Sequence, residues 1–263
     1  MDVSPIGKEV MCCDISLGLP FADESYDAVY SSNMLEHLAR ENGQKLLKEC
    51  CRVLKRNGTT RIVVPDLENI CRCYLHALDQ VMAGDVTWAG RYEWIILELL
   101  DQIARTQSGG EMAEYLRRSS SKDKDFIISR IGCIGRQIMG EKTSTIQQRS
   151  VKGSKHEMFS HQVAAYFCKV HNKMRQFLLA KILTKRESEA LSVGLFRLSG
   201  EVHMWMYDRY SLESALHLAG FSEVRQMPPN LSRIHSWSDY CLDVDRDGEK
   251  SAPLALYIEA VKM

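Results

Sequence analysis

Hydrophobic and polar positions follow two different periods near the start of the chain, and each period predicts a different element. Short apolar runs at 27–31 and 60–64 are typical of strands, and Pro65 closes the second run. Asn57-Gly58 predicts a left-handed helix stop between them. One buried helix face is predicted by the i, i+1, i+4, i+7, i+8 spacing of Leu46, Leu47, Cys50, Val53 and Leu54. Strand, helix and strand in this order predict a βαβ unit with its ligand at the carboxyl ends of the strands.

The middle of the chain, residues 84–200, has a mostly helical pattern. It leaves the predicted sheet after Pro65 and returns before Tyr207, so we expect it to lie over the carboxyl edge as a helical insertion or lid. We therefore divide the chain into a core at 1–83, this insertion, and the rest of the core at 201–263. Further elements predicted by pattern are strands at 9–13, 223–227 and 254–261 and helices at 93–103, 163–183 and 210–218.

Composition narrows the class of protein. A chain of 263 residues with 45% hydrophobic and 26% charged residues is typical of a globular enzyme or binding domain. It has no run of 18 apolar residues and no signal-peptide pattern, so we expect no transmembrane segment. Nine cysteines without a C-x-x-C pair lack zinc-ligand spacing, which predicts no metal site and a reducing cytoplasm.

Although the formal net charge of the chain is zero, its middle segment is basic. Residues 71–206 carry 20 basic and 14 acidic side chains, whereas both flanking segments are acidic overall. Such a segment can face an anionic substrate or a membrane surface, or form an ordinary solvated surface. No basic stripe interleaved with aromatic residues is present, so a nucleic-acid partner is not expected.

Several motifs occur in a fixed order along the chain. They are D-x-x-x-x-L-P-F-x-D-x-S-[YF]-D-x-V at 14–29, L-E-H at 35–37, E-x-x-R-V-L-K-x-x-G at 49–58 and R-I-V-V-P-D at 61–66. Together they resemble the class I S-adenosylmethionine-dependent methyltransferases of the type 11 group. The resemblance implies a Rossmann-like α/β sheet that ends in an antiparallel hairpin.

A second motif, G-E-V-H-M-W-M-Y-D-R-Y-S-L at 200–212, is followed by A-G-F at 219–221. It resembles a bacterial branch of predicted methyltransferases often associated with cell-surface polysaccharide pathways. The resemblance implies transfer of a methyl group to an oxygen of a saccharide or another small polar acceptor.

Members of this class bind the methionine part of the cofactor with a glycine-rich turn after the first strand. No such turn precedes the motifs here, and Met1-Asp2-Val3 resembles the end of the family's second strand, where an acidic residue holds the ribose hydroxyls. We therefore expect an N-terminally incomplete sheet, through truncation, a misplaced start or natural loss. We also expect these 263 residues to bind S-adenosylmethionine weakly or not at all.

The resemblance assigns cofactor roles to four residues. Asp2 would hold the ribose, Asp14 would accept the adenine amino group, and Ser32 and Asn33 would face the methionine end. The alternative role of Asp14 is a strand-end residue that caps the next turn.

Glu36 and His37 are the candidate catalytic pair at the mouth of the site. A histidine with a near-neutral pKa suits removal of a hydroxyl proton, although positioning alone can supply most of the acceleration of methyl transfer. The alternative is that His37 only packs and hydrogen-bonds the loop. Glu49 and Arg52, three residues apart on one helix, predict a structural ion pair.

A polar and aromatic cluster downstream provides candidate acceptor contacts. In an extended segment, side chains at alternate positions share one face, which predicts a substrate-binding wall formed by Glu201, His203, Trp205 and Tyr207. The alternative is a half-buried strand whose tryptophan simply packs.

The sequence as a whole favours an S-adenosylmethionine-dependent O-methyltransferase. The first rival is a non-catalytic methyltransferase-like module kept for binding a partner. A nicotinamide dehydrogenase is disfavoured, because the dinucleotide fingerprint is absent.

Overall fold

The centre of the molecule is a mixed β-sheet with the strand order β1-β2-β4-β3. The computed structural model describes residues 11, 13–118, 123–132, 179, 181–245 and 248–263. Strands β1 and β2 are parallel, and β4 runs antiparallel to both of its neighbours, β2 and β3. The strands are β1 (Tyr26–Ser32), β2 (Leu54–Pro65), β3 (Phe221–Gln226) and β4 (Ala255–Lys262).

Helices connect and cover these strands. Short 3-10 turns lie at Ile15–Leu17, Leu35–His37 and Val86–Trp88, and a single helical turn lies at Trp237–Tyr240. The longer helices are α1 (Arg40–Val53), α2 (Leu67–Met82), α3 (Ala89–Ala104), α4 (Gly110–Arg118), α5 (Lys124–Ile131), α6 (Lys185–Arg197) and α7 (Arg209–Leu218). The mixed sheet with flanking helices confirms the predicted Rossmann-like α/β class.

One face of the sheet is covered by α1 and α7. The predicted helix stripe is buried, with Leu47 of α1 and Leu212 of α7 both fully inaccessible to solvent. They join one apolar cluster with Ile62 and Val64 of β2 and Ile258 of β4. The hydrophobic pattern therefore fixes which side of α1 faces the sheet.

The expected helix stop at Asn57-Gly58 is wrong. Helix α1 ends at Val53, and Leu54 is already extended and fully buried. Asn57 does adopt the left-handed conformation, with φ of 63°, but it lies within β2, where the register against β1 shifts. Because Leu54 is buried in the core, the chain enters the sheet directly after α1. Asn57 therefore forms a bulge within β2 instead of a helix cap.

The opposite face of the sheet contains a buried arginine. Arg61 of β2 is inaccessible to solvent and donates to Asp243 at 2.6 Å and to Glu259 at 2.7 Å. Its guanidinium lies 4.6 Å from the ring centroid of Trp237. It also donates to the carbonyl oxygens of Leu231, Pro228 and Pro229. The loop that contains these three carbonyl groups therefore packs against this face of the sheet, and Arg61 holds it there.

Helices α2 to α5 form a second layer around their own apolar cluster, which includes Trp94, Ile95 and Ile127. The helix predicted at 93–103 is observed as the longer α3. The strand predicted at 9–13 and the helix predicted at 163–183 lie mostly outside the described residues. The division of the chain at residues 84 and 200 stays a prediction. None of the helices in the described ranges is long and apolar enough to cross a membrane.

Candidate functional site

A cavity of about 380 Å³ opens at the carboxyl ends of β1 and β2. Asn33 follows β1, Asp66 follows β2, and Ala255, which pairs with Pro65, begins β4. Side chains from α3, α4 and α5 line the side of the cavity away from the sheet. This position is where open α/β sheets bind their ligands.

Two irregular segments are tied together at the cavity wall. The carbonyl oxygen of Glu36 accepts hydrogen bonds from the backbone of Met204 at 2.7 Å and Trp205 at 3.1 Å. The backbone N–H of His203 donates to Gln102 of α3 at 2.9 Å. These bonds place the rings of His37 and His203 edge to face, with centroids 4.7 Å apart.

Glu36 has an unusual environment for a carboxylate. It is 1% exposed, and within the described part of the chain neither of its oxygens has a hydrogen-bond partner. Burial raises the pKa of Glu36 to about 7, against a weaker opposing effect of nearby backbone amides. The nearest cationic candidate is His37, whose Nε2 lies 3.9 Å from Oε1 of Glu36.

The two histidines are held as neutral rings. His37 Nδ1 lies 3.3 Å from the carbonyl oxygen of Val202 and therefore donates, which leaves Nε2 unprotonated towards Glu36. Burial lowers the pKa of His37. Burial also lowers the pKa of His203 to about 3, and the positive charge of Arg105, like that of His37 whenever it is protonated, adds to this effect. His203 Nδ1 is buried and has no hydrogen-bond partner among the residues that the structure describes.

Ion pairs form the rest of the polar wall. Arg105 contacts Asp101 at 2.9 Å and Glu201 at 3.3 Å, and Glu201 also accepts from the backbone of Gly109 at 2.8 Å. Although burial alone would raise the pKa of Glu201, hydrogen bonds from Gly109, Ser108 and Arg105 lower it. Glu201 is therefore anionic at neutral pH.

A bidentate pair between Glu98 of α3 and Arg130 of α5, with distances of 2.5 and 2.9 Å, also lines the cavity. Sequence reasoning missed this pair, together with Asp101 and Arg105. A signal was present, because Glu98 and Asp101 fall on the same buried face of α3 as Trp94 and Ile95. Charged residues at apolar positions of a helix indicate a paired or functional site.

The structure brings together half of the predicted site residues. Asn33, Glu36, His37, Glu201 and His203 all line the cavity. Ser32 ends β1 beside them, and its hydroxyl accepts from the side chain of Asn33 at 3.3 Å. Asp14 is exposed at the turn before Ile15 and does not line the cavity, and Asp2 lies outside the described residues.

The predicted wall from Glu201 to Tyr207 does not form as one surface. The segment is not a continuous strand, because Met204 and Trp205 both turn to donate to the same carbonyl of Glu36. The alternation of side chains is broken there, and Trp205 and Tyr207 line a separate groove beside α1 and α7. In that groove Arg40 lies 5.1 Å from the ring centroid of Trp205. Only Glu201 and His203 remain candidates for contact with a ligand in the cavity.

Comparison with known proteins agrees with the motifs. Residues 3–62 match a family model described as a methyltransferase domain, a stretch that covers less than a quarter of the chain. The match and the sheet together support a class I S-adenosylmethionine-dependent methyltransferase. No curated protein matches the chain.

Proposed function

We propose that the protein transfers a methyl group from S-adenosylmethionine to a hydroxyl of a small polar acceptor, with a saccharide as the expected class. The observation that carries this proposal is the cavity at the carboxyl ends of β1 and β2, where His37 Nε2 lies 3.9 Å from Glu36, whose carboxyl has no hydrogen-bond partner among the described residues. The family match supplies the reaction type.

The acceptor would lie against the polar wall of the cavity. Gln102, Arg105 and Glu201 offer hydrogen-bonding groups for several hydroxyls, while Ile70 and Met112 offer apolar surface. A pocket with a few convergent polar groups on an apolar lining is typical of sites that bind small molecules. The volume of about 380 Å³ is at the lower end for such sites, which favours a single ring over a long chain.

His37 and Glu36 would act on the acceptor hydroxyl. His37 Nε2 would accept the proton of the acceptor hydroxyl as that oxygen takes the methyl group, and S-adenosylhomocysteine would be the other product. The hydrogen bond from His37 Nδ1 to Val202 keeps the ring in the tautomer that this role needs. Glu36, next to Nε2, would hold the resulting imidazolium.

Part of the cofactor environment would lie at the end of β1. Asn33 has a left-handed backbone with φ of 48°, and Val63 accepts its N–H at 3.0 Å. This turn directs the side chain of Asn33 to the cavity wall, next to Ser32, where a polar cofactor end would fit. When bound, S-adenosylmethionine supplies an electrophilic methyl group on a positively charged sulfur.

The proposal includes a bacterial cytoplasm as the compartment. Its support is the cysteine chemistry, since the described cysteines at 13, 50, 51, 71, 73 and 241 are free thiols.

An acceptor screen tests the proposal. The purified chain is incubated with S-adenosylmethionine at millimolar concentration and a panel of sugars and sugar alcohols, and formation of S-adenosylhomocysteine is measured. We expect acceptor-dependent product, and we expect His203→Ala to weaken use of that acceptor with cofactor binding unchanged. His217→Ala, which alters an exposed histidine of α7, is the matched control. Absence of acceptor-dependent product across the panel, or an effect equally large in the control, would contradict the proposal.

A further inference from the structure

The cavity contains donor groups that proton transfer alone does not explain. Glu36, His37 and His203 each offer one ligand atom, and these three atoms lie within 4.8 Å of one another. Glu36 is 1% exposed without a hydrogen-bond partner, and His203 Nδ1 is likewise buried and unpartnered in the described ranges. Buried polar groups are nearly always satisfied, so a cluster of unsatisfied ones indicates a missing partner.

We infer that Glu36, His37 and His203 bind one divalent transition-metal cation of the Zn²⁺ class, with an open coordination position towards the cavity. The binding itself is independent of the proposed function. Only the role of the metal in activating an acceptor hydroxyl rests on it.

The ligand types suit such a cation. Two imidazoles and one carboxylate form a common set for catalytic zinc and for other first-row metals, and they leave at least one position for water or substrate. The sequence expectation of no metal site considered only the spacing of cysteines. These ligands come instead from two segments about 165 residues apart, which no local spacing rule can detect.

The environment of His37 is that of a metal ligand. Metal-bound histidines usually donate their second ring N–H to a carboxylate or backbone carbonyl, which fixes the orientation of the ring. His37 Nδ1 makes this bond to Val202, so its lone pair at Nε2 lies on the side of Glu36.

The local charge balance also favours a cation. Four carboxylates, from Glu36, Asp66, Glu98 and Glu201, line the cavity, and Arg105 is the positive partner of Glu201. Glu98 is already neutralised by Arg130. Glu36 therefore lacks a charge partner in this part of the structure, and a divalent cation would supply one.

The distances require the ligand side chains to move closer together, because the three ligand atoms lie within 4.8 Å of one another and a pair at that limit must approach by about 1.5 Å. Tetrahedral ligands about 2.05 Å from a metal lie about 3.3 Å from each other. His37 Nε2 and Glu36 Oε1 are 3.9 Å apart, so this pair must approach by about 0.6 Å. Side-chain rotation can supply this shift, since the backbone bonds to the carbonyl of Glu36 already hold both segments together.

A bound metal would change how the acceptor is activated. The acceptor hydroxyl would take the open position, and the metal would lower its pKa so that its proton leaves to water in the cavity. His37 Nε2 would then be a ligand and could not also be the base. Removal of the metal therefore distinguishes activation of the hydroxyl by a bound metal from activation by His37 as the base.

Metal binding by the protein alone tests the inference. The chain is stripped with a chelator and titrated with CoCl2 and ZnCl2, with calorimetry for stoichiometry and visible absorption for the cobalt form. We expect one equivalent with cobalt d–d bands and without thiolate charge transfer, because this cluster contains no sulfur. Cysteine-bound metal elsewhere in the chain would be recognised by its thiolate band.

Variants assign that equivalent to the cluster. Glu36→Gln and His203→Ala should each lower the affinity for this metal equivalent by at least 10- to 100-fold. A loss of this size is typical even of groups that only hydrogen-bond a metal ligand. His217→Ala, which removes one partner of an exposed histidine–glutamate pair, should leave this affinity unchanged. Circular dichroism checks that the variants fold. If a variant unfolds, anomalous scattering from crystals of the wild-type protein grown with ZnCl2 should place zinc between Glu36 and the two histidines.

The inference is overturned if no sulfur-free equivalent binds, if the triad variants bind it as the wild type does, or if the anomalous signal lies elsewhere. These outcomes do not depend on methyl transfer. An enzyme that methylates an acceptor equally well before and after chelation, without binding metal, would refute the inference and retain the proposed function. A protein that binds the metal and methylates nothing would support the inference and contradict the proposed function.

Discussion

Arg61 makes an unusually complete set of contacts on the face of the sheet opposite α1. Its side chain is inaccessible to solvent, and its donors reach Asp243, Glu259 and three loop carbonyl oxygens. Replacement by methionine keeps much of the volume but removes every one of these bonds. Two carboxylates that are 2% exposed or less then lose their cation.

The expected cost follows from this burial. Removing one partner of a buried ion pair costs about 3–5 kcal/mol, because the other partner is left charged and desolvated. We expect the lower end, about 3 kcal/mol, since Asp243 keeps the hydroxyl of Tyr30 at 2.6 Å and Glu259 keeps the backbone N–H of Arg233 at 2.9 Å. For a chain of this size that corresponds to a fall in Tm of about 6–12 °C.

Thermal and urea unfolding of Arg61→Met, followed by circular dichroism, measures this cost. The matched control is Arg72→Met, which makes the same change in an exposed i,i+4 pair with Glu68. For Arg72→Met we expect the free energy of unfolding to fall by less than about 0.5 kcal/mol. Unfolding of Arg61→Met within about 1 kcal/mol of the wild type would refute the reasoning, because it would mean that the buried pair contributes little net stability.

One further outcome concerns the pH dependence of stability. Hydrogen bonds from Arg52 and Leu19 lower the pKa of Glu49 to about 2. Ionised Glu49 therefore stabilises the fold above its unfolded pKa of about 4.5, and this stabilisation is lost as the pH falls towards 2. The urea midpoints of wild type and Glu49→Gln should therefore differ near neutral pH and converge in acid, and a constant difference would contradict this.

The parts of the fold that local pattern controls could be predicted from the sequence. The stripe on α1 identifies its buried face, and the apolar run around Ile62 identifies a central strand. The ion pair of Glu49 and Arg52, with a distance of 2.8 Å, is confirmed, because three-residue spacing on a helix is itself a local signal.

The parts that depend on tertiary contact could not be predicted. Arg61 has the pattern of an ordinary strand residue, and its carboxylate partners lie 182 and 198 residues away. Alternation from 201 to 207 fails because Met204 and Trp205 bond to one distant carbonyl. Period-2 patterns predict a shared face only where the chain is a regular strand. The same long-range contact brings His203 beside His37.

The central claim is that this cavity performs methyl transfer, and a rate measurement tests it most directly. Transfer of labelled methyl from millimolar S-adenosylmethionine to the best acceptor of the screen is compared in the wild type, His37→Ala and His217→Ala. We expect His37→Ala to lower kcat by about 100-fold or more with the cofactor Kd unchanged, and His217→Ala to match the wild type. Equal rates in all three proteins would contradict the account and would make His37 a structural residue.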